Sequence, residues 1–206
     1  MNHAKSPILR LIALFLYLIQ IFVSIFGHVE LLPRDGFVSA VRNIICYPVT
    51  AICSNMVFLL SGFDWAQLNH TALPTQYGHV PSGVSTKQVM HYAQGVHTKR
   101  FCEYDYGEEK NLEIYGEKDS PDYNLSNIRV PVAIFRARND WLADPRDVRR
   151  LLKKLPNVVL DYLVPFHKFN HMDFLWAKDA KKLVYMKILE WKGRVPFTFY
   201  VCLSRS

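Results

Sequence analysis

Residues Val130 to Phe174 leave this chain few ways to fold. Val130–Phe135 is a short, almost unbroken apolar run, the pattern of a strand covered on both faces. Val158–Val164 is a second run of the same kind. Between them Val148, Leu151, Leu152 and Leu155 recur at helical spacing, and Pro156 ends the repeat. Asp144 and Pro145 stand where an N-cap and a first helical residue belong, and Asp147 puts negative charge in the first turn. Strand, helix and strand in that order predict a parallel pair and an α/β fold class.

Chemistry-bearing residues gather where those strands end. Asn139 and Asp140 follow the first strand, and His171 lies in the loop after the second. The carboxyl ends of strands in an open α/β sheet are where ligands bind and reactions occur. An acid and an imidazole are therefore predicted side by side. Asp144 and Asp147 are rival acids, but the first reads as a helix cap and the second as a first-turn charge.

Three segments carry a resemblance: Asn139–Val148 (NDWLADPRDV), Leu155–Val159 (LPNVV) and Asn170–Ala180 (NHMDFLWAKDA). They resemble the acid lipase family, which includes the gastric and lysosomal lipases. The likeness runs to about Glu190 and falls on the C-terminal half of that family. It implies an α/β-hydrolase, whose triad follows the chain order Ser, Asp, His, with Asp140 as acid and His171 as base. It implies only part of that fold: a helical cap over residues 1–127, then the last two strands and last two helices of the catalytic domain over 128–190. Residues 191–206 leave the resemblance. The implied substrates are acyl esters of glycerol or sterol at a lipid interface, with no cofactor. One departure is local, because PFHKFNH (Pro165–His171) carries two more residues before the histidine than is usual in the family.

The second departure is the nucleophile. A serine hydrolase of this class needs a G-x-S-x-G elbow between strand and helix. Gly83-Val84-Ser85-Thr86-Lys87 starts correctly but lacks the closing glycine, and Ser61-Gly62 and Ser82-Gly83 fail too. The family's upstream oxyanion loop is also missing, and with it the donors that stabilise a developing charge. The 206 residues are thus expected to be inactive alone, with an N-terminal half needed for activity. The alternative is a non-catalytic, truncated homologue that binds lipid surfaces or a partner. Two strands from a larger sheet also predict an unpaired edge at Val130–Phe135 and a marginal, aggregation-prone chain.

The remaining signals narrow the setting. The net charge of +7 is spread out, and its clusters at Arg146–Lys154 and Lys178–Lys187 read as solvated helix faces. Nucleic-acid binding is not expected, while contact with an anionic membrane surface stays open. His167 and His171 have H-x3-H spacing near Asp173, but Pro165 and the lack of an H-E-x-x-H pattern argue against a metal. Leu11–Phe26, after Lys5 and Arg10, could be a signal or membrane anchor. The likeness of His3–Ile8 to the family's cap start favours a cap helix. Ser54–Phe63 is apolar, either a cap surface over an acyl cleft or ordinary core helix. Leu73–Ser85 reads as a loop, Lys87–Val96 and the stretch from Asp179 as helices, and Val195–Leu203 as a strand without a role. Asn69 and Asn124 head glycosylation sequons, which suit a secreted or lysosomal protein. The resemblance also implies a cap disulfide, with Cys53 matching one member and Cys46 a candidate partner at shorter spacing than the family's.

Overall fold

Successive residues of a strand point to opposite faces, and Val132–Arg136 (β3) uses both. In the computed structural model, which describes residues 5–27, 30–31, 50–79, 83–193 and 200–203, Val132 and Ile134 pack against Val148. Leu151 and Leu152, on the same helix as Val148, and Leu155 just past its end close that side. Ala133 and Phe135 face the other way, into a cluster with Val164, Phe169, Phe174, Ala180 and Val184. Burying a side chain such as Phe135 stabilises the fold by roughly 2–3 kcal/mol. Helices on both faces are why this strand can be apolar from Val132 to Phe135.

The element order is α1 (Pro7–Leu14), α2 (Leu16–Phe26), β1 (Glu30–Leu31), α3 (Thr50–Ser61), α4 (Leu73–His79), β2 (Val84–Ser85), α5 (Thr86–Thr98) and α6 (Glu108–Tyr115). Then come β3, α7 (Pro145–Lys154), β4 (Val158–Leu163), α8 (Asp173–Trp176), α9 (Met186–Lys192) and β5 (Tyr200–Leu203). β3 pairs with β4 in parallel, Ala133 opposite Leu160 and Phe135 opposite Tyr162, as the crossover through α7 requires. On its other side β3 pairs with β5, again in parallel, giving the order β4-β3-β5. The edge expected to stand open at β3 is therefore filled by the tail. The reason is that a buried strand must satisfy its N–H and C=O groups on both sides.

The helices before β3 pack on one another, with α1 and α2 resting on α5. Ser6 Oγ donates to Leu59 O at 3.0 Å, and Lys5 N donates to Trp141 O at 3.0 Å, tying the start of the described chain to α3 and to the loop after β3. Ser85 caps α5, its hydroxyl accepting from Lys87 N at 3.2 Å. Leu73–His79 is helical where a loop was expected, because Pro74 falls in the first turn, which tolerates proline, and Gly78 falls near the end. Leu11–Phe26 divides into two helices at Phe15, and no helix among the described residues is long and apolar enough to cross a membrane. The stretch from Asp179 opens with a π turn, Lys181–Tyr185, before α9. Residues 32–49 lie outside the described residues.

Asp144 caps α7 as its sequence position predicts, accepting from Arg146 N at 2.8 Å. Its buried carboxylate also meets Arg146 Nε at 3.0 Å and Lys5 Nζ at 3.5 Å. Asp144→Ala is expected to lower the unfolding free energy by about 1–2 kcal/mol, read as a lower denaturation midpoint with an unchanged slope. A midpoint equal to wild type would show that the cap is dispensable.

Candidate active site

Beyond Arg136 the chain leaves the sheet and turns at Asn139-Asp140. Asp140 Oδ1 accepts from Leu142 N at 2.9 Å and from Ala143 N at 2.7 Å, so its own loop fixes the buried carboxylate. Past β4, the fully buried Phe169 anchors the next loop and delivers His171. Nδ1 of His171 lies 2.9 Å from Oδ2 of Asp140. The imidazole is 15% exposed and the carboxylate 2%, so one end of the ring reaches solvent while the pair's contact is screened from it.

The rival acids are used elsewhere. Burial pushes the Asp144 carboxyl up, but hydrogen bonds from Arg146 and the charge of Lys5 outweigh it and hold the group below its usual range. Asp147 sits 3.8 Å from Arg150 on its own helix. Tyr92 donates to Leu142 O at 3.3 Å, and burial together with the charges of Asp140 and Asp147 pushes its phenol well up, so it remains a neutral donor.

An ionised carboxylate accepting from Nδ1–H holds imidazole in the tautomer whose Nε2 can take a proton, and it stabilises the cation that forms. That is the chemistry this pair can perform. His167 does not join it; its Nδ1 lies 3.5 Å from Arg138 Nη1. Among the described residues no group of three or more His, Cys, Asp or Glu gathers as metal ligands.

Sequence reading missed the two asparagines beside the pair, Asn139 and Asn170, which bond to carbonyls at the end of α3. It also missed a buried carboxyl pair. Burial pushes Asp173 up to about 8, against a backbone hydrogen bond from Asn170 and with help from the Asp64 charge, and burial raises Asp64 as well. Asp64 Oδ2 is buried and meets no hydrogen-bond donor among the described residues. A proton shared between the two carboxyls would satisfy that oxygen.

A cavity of about 570 Å³ opens beside the Asp140 loop, lined by Leu9, Leu60, Val89, Tyr92, Phe101 and Leu142 among others. Asn124 is exposed and Asn69 partly so, and in each sequon the hydroxyl donates to the asparagine Oδ1, at 2.6 Å and 2.7 Å respectively. Cys53 is disulfide-bonded, Cys46 lies outside the described residues, and Cys102 is free and buried.

No protein-family profile matches the chain. Known relatives do. It is 36% identical over 193 residues to Lipase 3 of Drosophila melanogaster, covering 92% of this chain and 49% of that one. It is 36% identical over 173 residues to human gastric triacylglycerol lipase, covering 82% and 43%. It is 34% identical over 169 residues to human lysosomal acid lipase/cholesteryl ester hydrolase, covering 81% and 42%. The chain thus spans about half the length of the relatives it matches. Such relatives imply an α/β-hydrolase, and the small parallel sheet with its covering helices is compatible with part of that fold. More narrowly, the chain belongs to the acid lipase family, over a segment resembling its C-terminal half.

Proposed function

We propose that this chain supplies the acid and the base of an acid-lipase-type carboxylic ester hydrolase. His171 takes the proton from a serine hydroxyl and returns it to the leaving alcohol, and Asp140 orients the ring and stabilises its cation. The single observation carrying this reading is the 2.9 Å contact between Asp140 Oδ2 and His171 Nδ1 at two neighbouring parallel strand ends. Residues 1–127 serve as the cap, 128–190 as the catalytic segment, and 191–206 as an added tail. The substrates are acyl esters of glycerol or sterol, a class supported by the names of the gastric and lysosomal relatives. The cavity beside Leu142 suits an acyl chain, and no cofactor takes part. A secreted or lysosomal setting fits Asn69 and Asn124 as glycosylated residues and a Cys46–Cys53 bridge.

The 206 residues contain no G-x-S-x-G elbow, so the serine comes from a segment like the other half of the relatives. The test is fluorophosphonate labelling of the chain alone and of the chain joined to a relative's serine-bearing half. The joined form is expected to label and to lose labelling with His171→Ala; the chain alone stays unlabelled. Labelling of the lone chain, or labelling indifferent to His171→Ala, sinks the assignment.

One observation favours a second, non-catalytic reading. Leu14, Ile25 and Phe26 on α1 and α2 are 76%, 67% and 64% exposed, an apolar face suited to a lipid surface. A chain inert in both labelling experiments that still sediments with phosphatidylcholine vesicles would replace the hydrolase reading with this one.

A further inference from the structure

The last carbonyls of an α-helix have no partner inside the helix and carry its negative end. At the end of α3, Ser61 O and the two carbonyls just past the helix, Gly62 O and Phe63 O, are filled from the two loops that hold Asp140 and His171. Ser61 O accepts from Trp141 N at 3.2 Å and, more loosely, from His171 N at 3.4 Å. Gly62 O accepts from Asn170 Nδ2 at 2.8 Å. Phe63 O accepts from Asn139 Nδ2 at 2.9 Å, and the same amide reaches Lys168 O at 2.9 Å. Three consecutive carbonyls thus hold the residue before Asp140, the residue after it, the residue before His171, and His171 itself.

We propose that Asn139 and Asn170 are positioning residues, through which the end of α3 sets the distance between Asp140 and His171. The proposal rests on the hydrolase reading and deepens it. Asn170 has no exposed surface and its amide is used at both ends, Oδ1 accepting from Asp173 N at 3.0 Å while Nδ2 reaches Gly62. Its backbone N–H donates to Asp173 Oδ2 at 2.7 Å. Asn139 bridges the cap and the His171 loop with Nδ2 and accepts from Trp141 Nε1 at 3.1 Å with Oδ1. A short side chain with a donor and an acceptor on one fork is needed at both places, and asparagine supplies it. Gly62 makes the approach feasible. Its φ is +109°, and a Cβ there would stand 2.1 Å from Asn139 O. Proton transfer depends on the separation these bonds hold.

The readout is the far-downfield proton resonance of an imidazole N–H bonded to a carboxylate, recorded on the full chain with a thermal melt alongside. Wild type is expected to show it and Asp140→Asn to lose it. Asn170→Ala and Asn139→Ala are each expected to make that proton exchange with water about tenfold faster or more. If Asn170→Ala fails to fold, Asn139→Ala, whose side chain is less buried, decides the matter. Unchanged exchange in a folded variant overturns the positioning role while leaving the pair intact. A wild-type chain without the resonance, or one that keeps it in Asp140→Asn, overturns the pairing and this proposal with it.

Discussion

Asp140→Asn, in the chain joined to a serine-bearing half, is expected to lower kcat about 10⁴-fold with little loss of stability. The reasoning starts from the two bonds that Oδ1 accepts. Leu142 N and Ala143 N are held at 2.9 Å and 2.7 Å, and an asparagine Oδ1 can accept both. The changed atom is the one facing His171 Nδ1, where a carboxylate oxygen becomes an amide donor. A donor there forces Nδ1 to accept, which moves the ring proton to Nε2. An imidazole protonated at Nε2 cannot take a proton from serine. The magnitude is the one known for this substitution in serine proteases, carried over because the tautomer argument is the same. Asp140→Ala provides the contrast, since it also strands two N–H groups in a buried loop at a cost of about 1–3 kcal/mol. Steady-state hydrolysis of a soluble aryl ester and thermal melts separate the two variants. A loss below tenfold for Asp140→Asn, or identical melts for both variants, would show that Asp140 acts otherwise.

The positions of Asp140 and His171 after two strands were legible because the apolar runs before them read as strands, while the roles expected of the two came from the family resemblance. The helix between the strands was equally plain, with Asp144 and Pro145 marking its start. The end of α3 was not readable in the same way. Its contribution comes from backbone carbonyls of Ser61, Gly62 and Phe63, which every residue type carries. Only the asparagines that meet them have a letter of their own, and asparagine beside a turn has an ordinary local explanation. Leu73–His79 was lost to its proline and glycine, which punctuate a loop and fit a short helix equally well. The tail run was recognised as strand-like, but its pairing with β3 depends on a neighbour far away in the chain. Asp64 and Asp173 illustrate the same limit, since they lie more than 100 positions apart (like Asn170 and Gly62, separated by 108) and only folding reveals that they meet.

That carboxyl pair leads to the second large effect: the folded chain should lose stability as pH rises from about 4 to 8. In the folded state Asp173 keeps its proton up to about 8, because burial disfavours its charge and Asp64 repels it. An unfolded aspartate releases its proton near 3.9. Between those values the folded state binds a proton that the unfolded state has lost, so unfolding becomes easier with each unit of pH. The slope can reach at most one proton's worth of free energy per pH unit. Lys168 works the other way by favouring the Asp64 charge, and the depressed Asp144 contributes stability that disappears only as pH falls below about 4. Asp173→Asn removes the titrating proton and keeps an acceptor for Asn170 N. It should flatten the profile, raising Tm relative to wild type at pH 7.5 and not at pH 4.5. Urea unfolding at several pH values measures this directly. Wild-type stability that climbs from pH 5 to 8, or an equal slope in Asp173→Asn, would exclude the shared proton. Asp64 lies just past α3 and Asp173 opens α8, so ionisation of both would drive apart the two segments that Asn170 holds together beside His171.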